Sequence, residues 1–558
     1  MLKQRTPDSQ TASDSCRPSA TASATGFRKA LRAAPLAGLL AAALLIRAIA
    51  AAIHPNLIWP DEIYQAVEPA HHLVFGGWIR SWEWVVGMRS WLIPGLLAVP
   101  LWLGRMVDPA GQTGANLVTV LMIVLSLTPV VVGYFWGARQ KGVAGGLFLG
   151  GVAAVWPDLI YMAPHPLADV FASHLFLAAL YAAFPLTTRP ALRRLTVAGA
   201  LLGLTFCVRM QLGPAAAVAM VLAAGLSPDR WRALLAGSGV ALALLGMFDW
   251  VTLGTPFQSI WLNFWFNIVG KVSEEYGVEG PLFYVAALNV VWGPALLVVL
   301  MAVLLSYRKH RALLIVFVVI IATQSLVGHK EWRFIFPALP ILILLVGLGL
   351  LELLPRLAAI AALHGAPRWS GFVGIIAIAG GLSLAVATTS VTASFWSNRS
   401  AMLTAFDGLR RQPGVCGIGL LVEPGRGAGQ SWVAGPGSTA LARGTLLYIG
   451  SPDGGWKTSA SYNAAVIEDG DTPPPPFRRI HCAAPGTGNP SVPGARTCVW
   501  RRPGGCNPAA GQPLPLNWPG YFLDERGNVR RDRLQPSIFG LSPPLRSVTQ
   551  DFNSATSP

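Results

Sequence analysis

Apolar stretches of bilayer length recur along this chain from about residue 35 to residue 391, with short polar connections between them. The first runs from Pro35 to Ile53, and later ones lie near 114–136, 143–163, 168–187, 192–208, 212–226, 231–252, 282–306, 311–328, 334–354 and 371–391. Crossing a bilayer takes roughly 17 to 25 mostly apolar residues in helical form, so the pattern predicts a polytopic α-helical membrane protein of about 11 transmembrane helices. A further stretch, Trp91 to Val107, holds Pro94 and Pro100 and is expected to be re-entrant or interfacial. Leaving it out puts Arg139 and Lys141, Arg189, Arg193 and Arg194, Arg230 and Arg232, Arg308, Lys309 and Arg311, and Arg356 and Arg368 on one side. That is the cytoplasmic side by the positive-inside rule.

The flanks have a different character. Residues 1–32 are rich in Ser, Thr and Ala and read as a disordered cytoplasmic tail, and Arg28, Lys29 and Arg32 precede an uncleaved signal anchor. The apolar module spans 33–394, with a first outer loop at about 54–113. Segment 395–525 is rich in Pro and Gly and reads as a small mixed α/β extracytoplasmic domain, with strands expected at Cys416 to Val422 and Thr445 to Ile449. Its Cys416, Cys482, Cys498 and Cys506 suffice for two disulfides of open pairing, while Cys16 and Cys207 read as free thiols. Residues 526–558 read as an irregular tail.

Composition agrees: of 558 residues 53% are hydrophobic and 12% charged, with a mean hydropathy of +0.50. A soluble domain carries roughly 25% charged residues. The net charge of +16 would suit nucleic acid, but the basic residues stand in twos and threes between apolar runs. Membrane lipid, not nucleic acid, is the partner this arrangement implies.

Polar residues out of place in so apolar a chain collect on the outer side: Asp61, Glu62, Glu68 and His71 in the first loop, then His165 and Asp169, Arg209 and Gln211, Lys271, Glu274 and Glu275, and His329-Lys330-Glu331-Trp332-Arg333. Ionisable groups at a membrane boundary are costly unless paired or solvated, so the clustering marks a candidate site. Each group alone also fits loop solvation. The potentially cationic His329, Lys330 and Arg333 suit a lipid-borne phosphate, or equally a snorkelling cluster at a helix end.

Pro60-Asp61-Glu62, Tyr64-Gln65, Glu68, Ala70-His71, Phe75-Gly76, Trp82-Glu83-Trp84, Arg89-Ser90 and Pro94, followed about 270 residues later by His329-Lys330-Glu331, Arg333-Phe334 and Pro337, resemble the family 22 glycosyltransferases. These are the multi-span enzymes that include the GPI mannosyltransferases and those of lipid-linked oligosaccharide assembly. The resemblance covers roughly residues 35 to 395. It departs at Trp59, where the family usually has His, and around Trp432 to Pro436 and Leu441 to Arg443, where the family's carboxyl-terminal segment is only faintly echoed.

The resemblance implies a GT-C type fold and a lipid-phosphate sugar donor. It makes Asp61 the catalytic base with Glu62 its neighbour, and His329, Lys330 and Arg333 the donor-phosphate contacts. Glu68, His71, Asp169, Arg209, Gln211 and Glu331 are then the supporting or acceptor-side residues. The chemistry suits these residue types: a base takes the acceptor hydroxyl's proton and cations hold the departing phosphate. An inverting mannosyltransferase with a glycan or glycolipid acceptor and no metal is expected. A transporter or flippase of lipid-linked glycans is the alternative. The Ala, Arg and Gly-rich composition leans towards a bacterial inner membrane, with the endoplasmic reticulum the setting in a eukaryote.

Overall fold

The computed structural model describes residues 20–507 apart from positions 77, 79, 109–110, 187–188, 368, 397–399, 411, 422–444, 451–459, 469–472, 474 and 484–495, together with residues 521, 530 and 533. The segment Trp432 to Pro436 and nearly all of the expected irregular tail lie outside the described residues. A helical body runs to Trp396, and a sheet with one covering helix follows.

Helix α1 (Ala20–Ile53) begins inside the stretch expected to be a disordered cytoplasmic tail. Residues 20–32 are Ala-rich and free of proline, which favours helix. The first loop then carries a π-helical turn (Glu62–Val67), α2 (Glu68–Phe75), α3 (Trp82–Val85) and α4 (Leu92–Val107). The 16 residues of α4 measure about 24 Å at 1.5 Å per residue, less than the bilayer's hydrocarbon core of roughly 30 Å. Gly104 brings it against Gly114 of α5 (Gln112–Leu125).

Helix α6 (Thr128–Val155) loses helical backbone at Lys141 and Gly142. Gly137 then lies against Gly145, and Gly133 against Leu149 and Gly150, so the chain reverses and its two halves run antiparallel with glycine at the crossing. Next come α7 (Pro157–Tyr161), α8 (Ala168–Ala183), α9 (Leu192–Val208), α10 (Gly213–Ala224), α11 (Pro228–Leu253) and α12 (Gln258–Phe264). A bend of 110° separates α13 (Phe283–Trp292) from α14 (Ala295–Ser325), which breaks again at His310. Helices α15 (Leu339–Leu363), α16 (Ser370–Ala387) and α17 (Ser390–Trp396) complete the body.

Helix thus occupies all the apolar stretches read from the sequence. Among the described residues, five helices are long and apolar enough to cross a bilayer, or six when α13 and α14 count as one bent span. The number is below eleven because α8, α9 and α10 are short, with 16, 17 and 12 residues, and because residues 112–155 count as one apolar helical stretch across the reversal in α6.

Two features hold the site in place. From Leu339 to Leu351 every residue of α15 is buried, as suits a helix apolar all round and enclosed by others. It continues directly from the 3-10 turn Trp332–Ala338, which carries Arg333. Within α1, Arg47 is fully buried and donates to the carbonyls of Ala43 (3.2 Å), Ala153 (3.1 Å) and Ala154 (3.0 Å). It satisfies the free carbonyls at the end of α6 and ties the helix that leads into the first loop to the rest of the body.

After the body, α18 (Ser400–Arg410) precedes β1 (Gly417–Leu421), β2 (Leu446–Gly450), β3 (Ala464–Glu468), β4 (Arg478–Ala483) and β5 (Thr497–Arg501). The sheet order is β2-β1-β3-β5-β4, with β1 parallel to β2 and β3, and β5 antiparallel to β3 and β4. Met402, Phe406 and Leu409 of α18 cover Ile418, Leu420, Val466 and Val499 on one face. The disulfides are Cys416–Cys506 and Cys482–Cys498, and Cys207 is a buried free thiol.

The glycine crossing in α6 is testable. A Cβ at position 137 would press on the Gly145 backbone, whereas one at Gly151 meets nothing within 4 Å. Gly137→Val should therefore lower the thermal midpoint of the detergent-solubilised protein, with overpacking costing about 1–3 kcal/mol. Gly151→Ala should leave it unchanged or raise it.

Candidate active site

The first loop turns sharply at Pro60. Backbone N–H groups of Ile63 and Tyr64 both bond the Pro60 carbonyl at 2.9 Å and start the π-helical turn. Asp61 sits at its start with helical dihedrals, so Asp61 and Glu62 point about 100° apart, as successive helical residues do. Glu62 faces inward and is buried. Its Oε1 accepts the N–H groups of Ile58 (2.7 Å) and Trp59 (3.2 Å), and His165 Nδ1 lies 2.6 Å from its Oε2. Asp61 faces a cleft of about 750 Å³, counting its open mouth.

On the other side of the cleft, Glu331 has extended backbone (φ −134°, ψ 150°) ahead of the 3-10 turn. Side chains of an extended segment alternate, so His329 and Glu331 share a face and Lys330 takes the opposite one. Arg333 Nε donates to Glu331 Oε2 (2.5 Å), and its Nη2 meets Asp61 Oδ2. The Arg333 side chain is 7% exposed and that of Asp61 25%, so the carboxylate keeps access to the cleft. Arg333 also lies over the rings of Trp59 (5.6 Å) and Phe334 (5.1 Å), and Arg209 lies over Phe334 at 5.0 Å. Arg209 pairs in turn with buried Asp169 at 2.8 Å.

Both ring nitrogens of His329 face acceptors: Nδ1 the Gly277 carbonyl (2.9 Å) and Nε2 the Glu331 Oε1 (2.9 Å). Two acceptors require two N–H groups, so the ring is an imidazolium. Burial works against that charge, but the Glu331 and Gly277 hydrogen bonds outweigh it and the His329 pKa is raised. Burial likewise opposes ionisation of Glu331, yet the Arg333 charge and the bonds from His329 and Arg333 hold its carboxyl well below the usual carboxylate range.

Of the residues singled out in the sequence, Asp61, Asp169, Arg209, Gln211 and Arg333 line one cleft, and Glu331 and His329 back Arg333. Four of the singled-out residues lie off the cleft. Lys330 donates to the carbonyls of Glu279 (2.7 Å), Val327 (2.5 Å) and Gly328 (3.4 Å), so it ties its loop to the Glu279 segment and does not line the cleft. Glu62 is held by His165 and two backbone N–H groups, turned away from the cleft. Glu68 is buried in α2, and His71 stacks on Phe75 at 4.6 Å, so neither lines the cleft.

The sequence reading passed over Arg89 as a site residue. It lines the cleft and pairs with Glu83 at 2.5 Å, and Gln65 also donates to Glu83 at 3.2 Å. Its signal was present, because Arg89-Ser90 stands among the motif residues. Ser90 bonds the buried Asp249 (3.1 Å), which also accepts the Ser259 N–H (3.0 Å) and hydroxyl (2.6 Å) and so fixes the cleft's far wall.

A sequence model of the Alg9-like mannosyltransferase family matches residues 39–413, about two thirds of the chain. The chain belongs to that family. Among curated relatives, GPI mannosyltransferase 3 of Yarrowia lipolytica is 29% identical over 303 residues, 51% of this chain and 56% of that one. GPI alpha-1,2-mannosyltransferase 3 of Homo sapiens is 23% identical over 318 residues, 53% and 54%. That of Danio rerio is 38% identical over 115 residues, 20% and 22%. The chain thus spans about half or less of the length of these relatives. In fold it is similar to ArnT from Cupriavidus metallidurans bound to undecaprenyl phosphate, with a TM-score of 0.52 at 14% identity over 84% of this chain and 98% of that one. The GT-C fold expected of the family is the fold observed.

The His329–Glu331 pair predicts a pH dependence. The Glu331 pKa is depressed below 4.5, so its contribution to stability is present above that value and is lost only as pH falls through the folded pKa. The His329 pKa is raised above 6.5, so its contribution is complete below 6.5 and is lost as pH rises through the folded value. The thermal midpoint of wild type should exceed that of His329→Gln near pH 6, and the gap should close as pH rises. Differential scanning fluorimetry across pH 6 to 9 measures it.

Proposed function

We propose that this chain is an inverting mannosyltransferase that moves mannose from a polyprenyl or dolichyl phosphate carrier to a hydroxyl of a glycan or glycolipid at the outer, periplasmic or luminal, face. The observation that carries the reading is the direct contact of Asp61 with Arg333 inside a cleft that also holds the Asp169–Arg209 pair. A carboxylate with access to the cleft and a buried guanidinium are the base and the phosphate clamp that such a transfer needs. The names of the curated relatives support mannose as the sugar and a glycolipid as acceptor. The undecaprenyl phosphate bound to ArnT, which shares this fold, supports the donor class.

In this mechanism the donor phosphate takes the place of Asp61 on Arg333, with the imidazolium of His329 keeping Glu331 as its counterion. Asp61, released into the cleft, accepts the proton of the acceptor hydroxyl. The acceptor oxygen bonds to C1 of the sugar as the C1–O bond to phosphate breaks, and that electron pair leaves on the phosphate facing Arg333 and Arg209. One displacement inverts C1. Glu62 and His165 fix the turn from which Asp61 projects. The cations assigned to the phosphate are arginines, and the reaction is proposed without a metal.

The same reading places eleven passes in the membrane, pairing the short helices and the two halves of α6 as separate passes. The C-terminal sheet then lies on the outer side, a position supported by its two disulfides, which persist in oxidising compartments. The bacterial inner membrane is the proposed setting, or the endoplasmic reticulum in a eukaryote.

Transfer from labelled polyprenyl phosphate mannose into membrane glycolipid tests the proposal. Asp61→Asn should lose roughly 10²- to 10⁴-fold in rate, the range of a general base. The product's anomeric configuration should be opposite to the donor's. Undiminished transfer by a well-inserted Asp61→Asn, or retention at C1, would overturn the mechanism. Activity should also survive EDTA, and loss restored by a divalent ion would replace the metal-free scheme.

A further inference from the structure

Arg333 uses its two kinds of surface for different partners. Its N–H groups meet Asp61 and Glu331, and its central carbon lies over two aromatic rings, Trp59 at 5.6 Å and Phe334 at 5.1 Å. A guanidinium permits both, because its hydrogen bonds run in its plane while its delocalised charge is attracted to the face of a ring. The two rings are not equivalent. Phe334 is shared with Arg209 at 5.0 Å and sits between two like charges, whereas Trp59 belongs to the turn that carries Asp61.

Trp59 is itself held. Its N–H bonds Glu62 Oε1 (3.2 Å), and Glu62 is held by His165 at 2.6 Å. The half-buried ring also packs on the main apolar core. The face contact therefore does not depend on the Asp61 carboxylate, and it remains when Asp61 leaves Arg333.

We propose that Trp59 is a positioning residue for the donor: its ring keeps the Arg333 guanidinium in the plane in which a lipid-linked phosphate can take the place of Asp61. The inference rests on the proposed donor site, and binding of the lipid phosphate, without sugar transfer, separates the two. A flexible arginine freed from Asp61 would have to be ordered again at each donor binding, and the ring removes that cost.

The test measures binding of labelled undecaprenyl phosphate to the full chain in lipid nanodiscs. Arg333→Ala should abolish saturable binding. Trp59→Leu should weaken it roughly 3- to 30-fold, the span of a cation–π contact from exposed to desolvated, and Trp59→Phe should recover most of the loss. In an Arg333→Lys background, whose ammonium keeps the charge but has no plane for the ring to orient, Trp59→Leu should cost less than it does beside Arg333, because coupled residues are not additive. A residue that only supports the fold would give the same loss in both backgrounds. Unchanged affinity in Trp59→Leu, or full additivity with Arg333→Lys, overturns the role of Trp59 and leaves the donor site standing. Unchanged binding in Arg333→Ala overturns the donor site itself. Should Trp59→Leu fail to fold, the series Trp, Tyr and Phe at position 59 carries the same test: affinity graded with ring strength supports the role, and a flat series removes it.

Discussion

One guanidinium holds the site together. Arg333 is buried, joins two carboxylates from segments about 270 residues apart in sequence, and lies against an aromatic ring from each. A buried charge is tolerated only when paired, and removing one partner of such a pair costs about 3–5 kcal/mol. The Asp61 turn and the Glu331 loop are therefore fixed with respect to each other by the charge that both neutralise. Counted together, Arg333 and the His329 imidazolium balance Asp61 and Glu331. An arriving monoanionic phosphate can replace Asp61 on Arg333 without changing the number of charges that Arg333 neutralises.

The body serves to deliver these two segments. The turn holding Arg333 runs straight into α15, whose first half is buried at every residue. The turn holding Asp61 hangs from α1, which Arg47 ties to the end of α6, and is locked from below by Glu62 and His165. Other buried polar groups brace the site from behind. Lys330 ties its loop to the Glu279 carbonyl, and Asp249 gathers Ser90 and Ser259 behind the cleft.

Much of this was legible in the sequence, for reasons that also explain what was not. The apolar stretches are readable because the bilayer demands length and low polarity together, and helix occupies each of them. The same signal separates 114–136 from 143–163, on either side of the break at Lys141 and Gly142, although helix is continuous from Thr128 to Val155. Asp61 and Arg333 stood out by motif. Lys330 stood out equally, and only the extended backbone at Glu331 shows that alternate residues face opposite ways and that Lys330 is on the wrong side. Adjacent Asp61 and Glu62 look alike in a string of letters, but a helical turn separates their directions, leaving one in the cleft and the other buried against His165. Trp59, the departure from the usual histidine, has its meaning only through Arg333, a partner the linear sequence does not place beside it.

The displacement of Asp61 by the donor phosphate is the step on which the account depends. An experimental structure of the full chain with a polyprenyl phosphate bound tests it most directly. The account predicts phosphate oxygens on Arg333, the Glu331–His329 pair retained, and the Asp61 carboxylate turned away from the guanidinium into the cleft. A lipid phosphate bound elsewhere, with Asp61 still paired to Arg333, would contradict it.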